Sequence, residues 1–359
     1  MTALFGGVYQ GTTVLVTGDT GFKGSWLVHW LLKLGAKVVG YSLGPTTALN
    51  HHELLGDDYI VIKGDINDLA AFKNVCDAHQ PDMVFHLAAQ ALVRPSYVDP
   101  LTTFKTNVMG TANVLEVSRQ TASVKAVVNV TSDKCYENKE WLWGYRENDP
   151  MGGHDPYSAS KGCAELVTAS YQKSFYKQEK ALASARAGNV IGGGDWSQDR
   201  LLPDMVTAAV EQKPVKIRNP LATRPWQHVL DPLSGYLSLG QQLLQGNTAF
   251  NEGWNFGPDH SSNVTVEHLV KAAQIHWNAI AYELDDTASY HEAHLLMLDC
   301  SKAMKLLKWR PIWDFKTSLK HTLNWYKTYY EQQQLQTGKD IAQYVKDAQA
   351  KNVTWAISC

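Results

Sequence analysis

Short apolar runs rich in β-branched residues alternate with longer amphipathic stretches through the first half of the chain. Thr13-Val14-Leu15-Val16-Thr17 gives way to a helical pattern from Ser25 to Leu34, and Lys37-Val38-Val39-Gly40-Tyr41 follows it. The rhythm repeats in Tyr59-Ile60-Val61-Ile62, a helix around Leu69 to His79, Met83-Val84-Phe85-His86-Leu87, a helix from about Leu101 to Gln120, and Ala126-Val127-Val128-Asn129-Val130. Alternation of this kind predicts βαβ units around a parallel sheet. Strands so apolar are expected to be covered on both faces, which is the doubly wound α/β arrangement.

After about residue 186 the pattern breaks into short segments punctuated by Gly and Pro, from Gly192-Gly193-Gly194 through Arg224-Pro225-Trp226. A smaller α/β region of loops and short elements over the strand ends is predicted there. The expected boundaries are 1–185 for the sheet domain, with segments near 225–260 added back, 186–335 for the smaller region, and 336–359 for a polar tail carrying a peripheral helix. The chain carries no internal repeat, heptad array or Pro-rich tract.

Composition narrows the function classes. Of 359 residues, 44% are hydrophobic and 19% charged, which supports a full core and argues against disorder of the whole. A formal net charge of -2 leaves no global basic field for nucleic acid or an anionic membrane, so any anion must be gripped locally. Apolar stretches are strand-sized and the first residues lack a signal-peptide pattern, so a cytoplasmic location is expected. Cys76, Cys135, Cys163, Cys300 and Cys359 are scattered without CxxC pairs or metal-ligand spacing, which predicts reduced thiols and no metal. His51-His52 reads as a solvated pair in a polar loop.

Candidate chemistry begins at Gly18-Asp19-Thr20-Gly21-Phe22-Lys23-Gly24, placed where the first strand ends and the first helix opens. Missing side chains let backbone amides and the helix N-terminus approach a pyrophosphate; a tight turn with no ligand is the alternative. An acid that reads the adenosine ribose is expected about 20 residues on. Gly40-Tyr41-Ser42-Leu43-Gly44 supplies neither that acid nor an Arg for a 2′-phosphate, so NAD and NADP both stay open. Asp65 suits either a hydrogen bond to adenine or a cap on the next turn.

Tyr157 and Lys161 fall one helical turn apart after Asp155-Pro156, where a phenol and an ammonium act as a unit. The ammonium is expected to favour the phenolate, fitting Tyr157 to take a proton from a sugar hydroxyl. Thr131-Ser132-Asp133-Lys134 stands at the end of the preceding strand, where open α/β sheets place their chemistry. There Asp133 and Lys134 are either a catalytic acid and base or a solvated pair entering a loop.

Together, TGDTGFKG, HLAAQ (His86 to Gln90), TSDKCY, YSASK and RAGNVIGGGD resemble the extended short-chain dehydrogenase/reductase superfamily over roughly residues 12 to 330. Within it, Ser132-Asp133-Lys134 is similar to the CDP-glucose dehydratase branch, whereas dTDP-glucose relatives carry Thr-Asp-Glu. The resemblance implies a Rossmann-type fold with NAD as cofactor. Gly18, Gly21 and Gly24, with Phe22 beside them, would hold the pyrophosphate, and Asp65 and Ile66 the adenine. Leu87, Ala88, Ala89 and Thr131 would back the cofactor, Asn107 would steady the Tyr–Lys relay, and Tyr157 and Lys161 would hold the nicotinamide ribose. The substrate would meet Gln90, Asn189, Arg200, Leu201, Arg218, Arg224 and Asn255; for any one of these arginines, a surface salt bridge is the alternative.

The catalytic set so implied is Ser132, Asp133, Lys134, Tyr157 and Lys161. They would oxidise C4 of a nucleotide-bound hexose (CDP-D-glucose), eliminate water across C5 and C6, and return the hydride to C6. Lys134 would be the C5 base or tune Asp133. A 4-epimerase, or a dehydratase of dTDP-glucose or GDP-mannose, would keep much of this pattern, and a non-catalytic dinucleotide sensor would keep the glycines without Tyr157. Relatives pair the helices near Leu101 and Tyr157 into a four-helix homodimer interface, to which Phe104, Val108, Leu115, Val167, Tyr171 and Phe175 would contribute. The product would feed deoxysugars of surface polysaccharide.

Overall fold

Strands β1 (Thr13–Thr17), β2 (Lys37–Ser42), β3 (Ile60–Lys63), β4 (Met83–His86), β5 (Ala126–Val130) and β6 (Ala181–Arg186) join Gly253–Asn255 in one parallel sheet. Its seven strands run in the order Gly253–Asn255, β6, β5, β4, β1, β2, β3. The doubly wound α/β fold expected from the hydrophobic pattern is therefore the fold observed. The structure, a computed structural model, describes residues 1–176, 179–285 and 295–357; Cys359 lies outside them.

The chain runs outward from β1 to β3 and then crosses back to β4, so the loops after β1 and β4 part in opposite directions. A crevice opens at this reversal, and ligands of such sheets settle there. Across it, Thr17 faces His86 in register, and the Thr17 hydroxyl lies 2.7 Å from His86 Nδ1.

Helices α1 (Phe22–Lys33), α2 (His51–Leu55), α3 (Leu69–His79), α4 (Val93–Val98), α5 (Pro100–Phe104), α6 (Thr111–Gln120) and α7 (Pro156–Ser174) fill the connections. Asp68, Asp99 and Asp155 accept from backbone amides of the first turns of α3, α5 and α7, and Pro100 and Pro156 open two of these helices. The helix expected from Leu101 to Gln120 widens into a π-type turn at Lys105–Gly110, between α5 and α6.

Trp26, Leu27, Trp30 and Leu31 of α1 pack with Val14, Val16, Phe85 and Val128 on one face of the sheet. Phe72 of α3 and Val114 and Leu115 of α6 cover Leu15, Val84 and Val127 on the other. Edge strand β3 departs from the expectation of two covered faces: Ile60 is 47% and Val61 50% exposed, because it has a neighbour on one side alone.

The second half contributes α8 (Leu201–Val210), α9 (Leu230–Leu244), α10 (Val266–His276), α11 (Phe315–Gln332) and α12 (Thr337–Ala350). Leu230, Leu233 and Leu237 of α9 join the core on the α1 face, and Gly253–Asn255 extends the sheet beside β6. Two-stranded pairings link 190–191 with 227–228, 223–225 with 263–265, and 214–217 with 281–284.

Two expectations need correction. Helix α12 is no peripheral tail: Ile341, Tyr344 and Ala348 are fully buried at helical spacing, and beyond it Trp355 stacks on Phe5 at 4.9 Å. His51 is likewise buried rather than solvated, bonded at 2.8 Å to both Ser25 and Thr337. Burial pushes its imidazole down to about 3, so it stays neutral.

Candidate active site

The glycine loop is built by close approach. Gly18 adopts φ +74°, and a Cβ there would lie 2.7 Å from the Ala88 amide, which brings the loop after β1 against Leu87 and Ala88 after β4. At Gly24 a Cβ would lie 2.0 Å from the Gly18 carbonyl, so α1 can start close against the loop because that side chain is missing. Gly21 forms the N-cap without a side-chain hydrogen bond, leaving the first amides of α1 uncapped. Uncapped amides, glycines that clear the approach and the adjoining 87–89 segment fit the pyrophosphate of a dinucleotide.

A carboxylate does stand over β2, supplied by the glycine loop rather than by the strand. Asp19 reaches over Gly40, whose Cβ would lie 2.2 Å from Oδ2, and accepts a 2.8 Å hydrogen bond from Tyr59. Its Oδ1 is buried with no partner among the described residues. Spacing rules look for this acid on β2, so they overlooked it. Asp65 binds Asn67 through Oδ1, and Ile66 is buried under Gly110 of the π-type turn.

Beyond β5, Ser132, Asp133, Tyr157 and Lys161 come together, each no more than 7% exposed. Ser132 Oγ donates to Asp133 Oδ1 at 3.0 Å and also hydrogen-bonds the Tyr157 phenol. Asp133 Oδ2 has no partner among the described residues. Gly188, on the exit from β6, leaves room for that carboxylate: a Cβ would lie 1.7 Å from Oδ2. Burial pushes Tyr157 up to about 12, opposed by Ser132's hydrogen bond. This corrects the expectation that Lys161 holds the phenol low, since the pull downward comes from Ser132 and then Arg200. Burial lowers Lys161 to about 8, with the Glu165 carboxylate working against it.

Glu165, one turn beyond Lys161, was not read from the sequence. It pairs with Arg186 at 2.7 Å and accepts from Thr131 at 2.5 Å and Ser184 at 2.6 Å, all of them buried. Thr131 thus commits its hydroxyl to the Glu165 carboxylate. Asn255 belongs to the same inner network: it is 0% exposed and bonds Tyr136 and the carbonyls of Tyr145 and Asp299, so it is no substrate contact. Gln90 is also committed, to Leu92 and Thr103. Asn107 ties the Gln90 backbone to Ser160 on α7, at 2.9 and 2.8 Å, and so anchors the helix that carries Tyr157 and Lys161.

Lys134 is half-buried in the short 3-10 turn after Ser132, and its side chain makes no hydrogen bond or ion pair among the described residues. Lys23, which sequence reasoning passed over as a loop residue, feels Arg200, Asp133 and Lys161. Asn189 takes φ +48° directly after Gly188, and Phe22 packs toward Gly192. Leu201 opens α8 beside Arg200, which pairs with Asp195 at 2.9 Å. Arg94 and Arg218 converge on Asp199 at 2.6 and 3.4 Å; Arg94 is a further cation that the motifs had not singled out. Arg224 donates to the Thr223 carbonyl at 2.8 Å.

A family model described as GDP-mannose 4,6 dehydratase matches residues 15–322. The CDP-glucose 4,6-dehydratase of Salmonella typhimurium is 50% identical over 330 residues, covering 89% of this chain and 92% of that protein. The dTDP-glucose 4,6-dehydratase of Streptomyces antibioticus is 28% identical over 326 residues, covering 88% and 92%. Among solved structures, the epimerase Mth375 of Methanothermobacter thermautotrophicus matches with a TM-score of 0.79 at 26% identity, covering 90% of this chain and 94% of that one. The dTDP-glucose 4,6-dehydratase of Bacillus anthracis in complex with NAD matches in fold, with a TM-score of 0.73 at 24% identity, covering 90% and 98%. The chain belongs to the GDP-mannose 4,6 dehydratase family, within the short-chain dehydrogenase/reductase superfamily.

Proposed function

We propose that this chain is an NAD-dependent CDP-glucose 4,6-dehydratase that converts CDP-D-glucose into CDP-4-keto-6-deoxy-D-glucose. The observation that carries the reading is the Ser132–Asp133 strand tip, hydrogen-bonded to the Tyr157 phenol and backed by Lys161. A simple dehydrogenase needs the phenol but has no use for a second acid there. The half-identical Salmonella relative supports the CDP-glucose assignment. NAD rather than NADP is favoured by Asp19, a carboxylate over the end of β2 that would repel a 2′-phosphate.

The glycine loop, the α1 amides and Leu87 to Ala89 would hold the cofactor, with Asp65 and Ile66 toward the adenine. A bound nicotinamide would supply the hydride acceptor for oxidation at C4 and the donor for reduction at C6. Tyr157 takes the proton from the C4 hydroxyl, and Ser132 holds the phenol and the sugar oxygen in line. A ketone at C4 acidifies the C5 hydrogen, so a modest base suffices. Asp133, with Oδ2 unbonded, protonates the departing C6 hydroxyl. Lys134 takes the C5 proton and returns it to C5 when C6 is reduced, or tunes Asp133. Arg94, Arg200, Arg218 and Arg224 offer guanidinium forks to the sugar diphosphate, and Asn189 adds an amide.

We place the enzyme in the cytoplasm, as a homodimer serving deoxysugar synthesis for surface polysaccharide. Exposed Leu101, Phe104, Met109, Leu166 and Phe175 support a dimer through paired helices; Leu115 lies in the core instead and takes no part. Among the described residues no helix is long and apolar enough to cross a membrane.

Incubation with CDP-, dTDP- and GDP-hexoses plus NAD+ tests the proposal. Only the CDP-glucose product is expected to lose one water and give the alkali-induced ultraviolet signal of a 4-keto sugar. An isomer of unchanged mass would identify an epimerase instead.

A further inference from the structure

Helix α7 carries Tyr157 and Lys161, and it is tied down on both sides of Lys161. On one side Ser160 accepts from the Asn107 amide at 2.8 Å. On the other, two rungs reach the helix from β5 and its end: Thr131 donates to Glu165 at 2.5 Å and Asn129 to Thr168 at 2.7 Å. Residues two apart in extended chain share a face, so both rungs leave the same side of the strand. Thr131 directly precedes Ser132 and Asp133, and its rung therefore joins the catalytic strand tip to the catalytic helix.

The Glu165 carboxylate divides its oxygens between two strands. Oε2 accepts from the Arg186 guanidinium at 2.7 Å and the Ser184 hydroxyl at 2.6 Å, both on β6, whereas among the described residues Oε1 accepts from Thr131 alone. A guanidinium fork is held most firmly by both oxygens, and a buried ion pair adds little stability over apolar packing. Reserving one oxygen for the residue before Ser132 favours geometry over stability as its use.

We propose that Glu165 is a positioning residue for hydride removal: through Thr131 it holds the Ser132 strand tip within reach of the Tyr157 phenol. The inference rests on the dehydratase reading above, in which Ser132 and Tyr157 act together on the C4 hydroxyl. Glu165 and Thr131 are buried and act through Ser132 rather than on the sugar. A tip displaced by about 1 Å would carry Ser132 out of hydrogen-bond reach, and a misplacement of that size costs roughly a hundredfold in rate.

Thr131→Val removes this hydroxyl at nearly constant shape and leaves the Glu165–Arg186 pair intact. Ser184→Ala removes the other hydroxyl from the same carboxylate and serves as the structural control. Single-turnover oxidation of CDP-glucose, followed as NADH absorbance, is measured beside the affinities for NAD+ and CDP by isothermal titration. Thr131→Val should slow NADH formation about ten- to a hundredfold while both affinities stay within about twofold of wild type. Thr131→Ser should restore the rate, and Ser184→Ala should keep it within about threefold. Thr131→Ala replaces the valine variant should that one fail to fold. An unchanged rate without the Thr131 hydroxyl, or an equal slowing in Ser184→Ala, would overturn the proposal. Weakened NAD+ binding in place of slowed oxidation would overturn it too, and would make Thr131 a cofactor contact. Wild-type protein that oxidises the sugar without shedding water would overturn the dehydratase reading and leave the positioning test in force; one that does neither would overturn both.

Discussion

Asp133 is held by one hydrogen bond from Ser132 and shielded by a glycine at 188, an arrangement that keeps one carboxylate oxygen ready for a proton transfer. Asp133→Asn should still oxidise C4, seen as transient NADH absorbance, while dehydrated product fails to form. Lys161→Ala should lose the absorbance as well. Gly188→Ala would put a methyl group inside the Asp133 carboxylate, so it should cut turnover by at least tenfold and cost about 1–3 kcal/mol in stability, read by thermal unfolding. Residues such as Gly18, Ser132, Tyr157 and Lys161 were legible in the sequence because their geometry is local: a turn, a strand end, a helical turn. Lys23, Arg94, Glu165 and Asp19 were not, because what marks them is a partner far along the chain. The same reason hid the role of Asn255, a fully buried polar residue whose bonds point inward.

At the scale of elements, hydrophobic periodicity located β1, β5 and α3 closely, since each buries a regular face. It did not reveal the π-type turn at Lys105–Gly110, nor the docking of α12, whose buried stripe is diluted by polar neighbours. That docking depends on a neutral histidine: His51 bonds Ser25 of α1 and Thr337 of α12. Burial also lowers His86, under the crevice, to about 3. Such a group binds protons in the unfolded chain below its usual value of about 6.5 but stays unprotonated when folded, so its stabilisation is full above that pH and is lost as pH falls. Each should cost about 1.4 kcal/mol per pH unit on acidification below about 6.5. Chemical denaturation across that range should show His51→Gln with a shallower loss than wild type; an identical slope would mean that His51 charges freely in the folded protein.

For the whole molecule, the sheet reversal between β1 and β4 brings the glycine loop after β1 against the Leu87–Ala88 segment after β4. The outer faces of α5 and α7 stay apolar, with Leu101 80% and Leu166 61% exposed. A charge at either position, as in Leu166→Glu, should halve the mass measured by light scattering while leaving the thermal unfolding of the subunit largely unchanged. A wild-type protein that is already monomeric would contradict the paired-helix dimer.

In the proposed reaction one sugar is oxidised, dehydrated and reduced without leaving the cleft. CDP-glucose carrying deuterium at C4 follows that hydride, with the product read by mass spectrometry and NMR. The expected product is lighter by one water and carries the deuterium at C6. Deuterium kept at C4, or lost from a product of unchanged skeleton, would rule this reaction out.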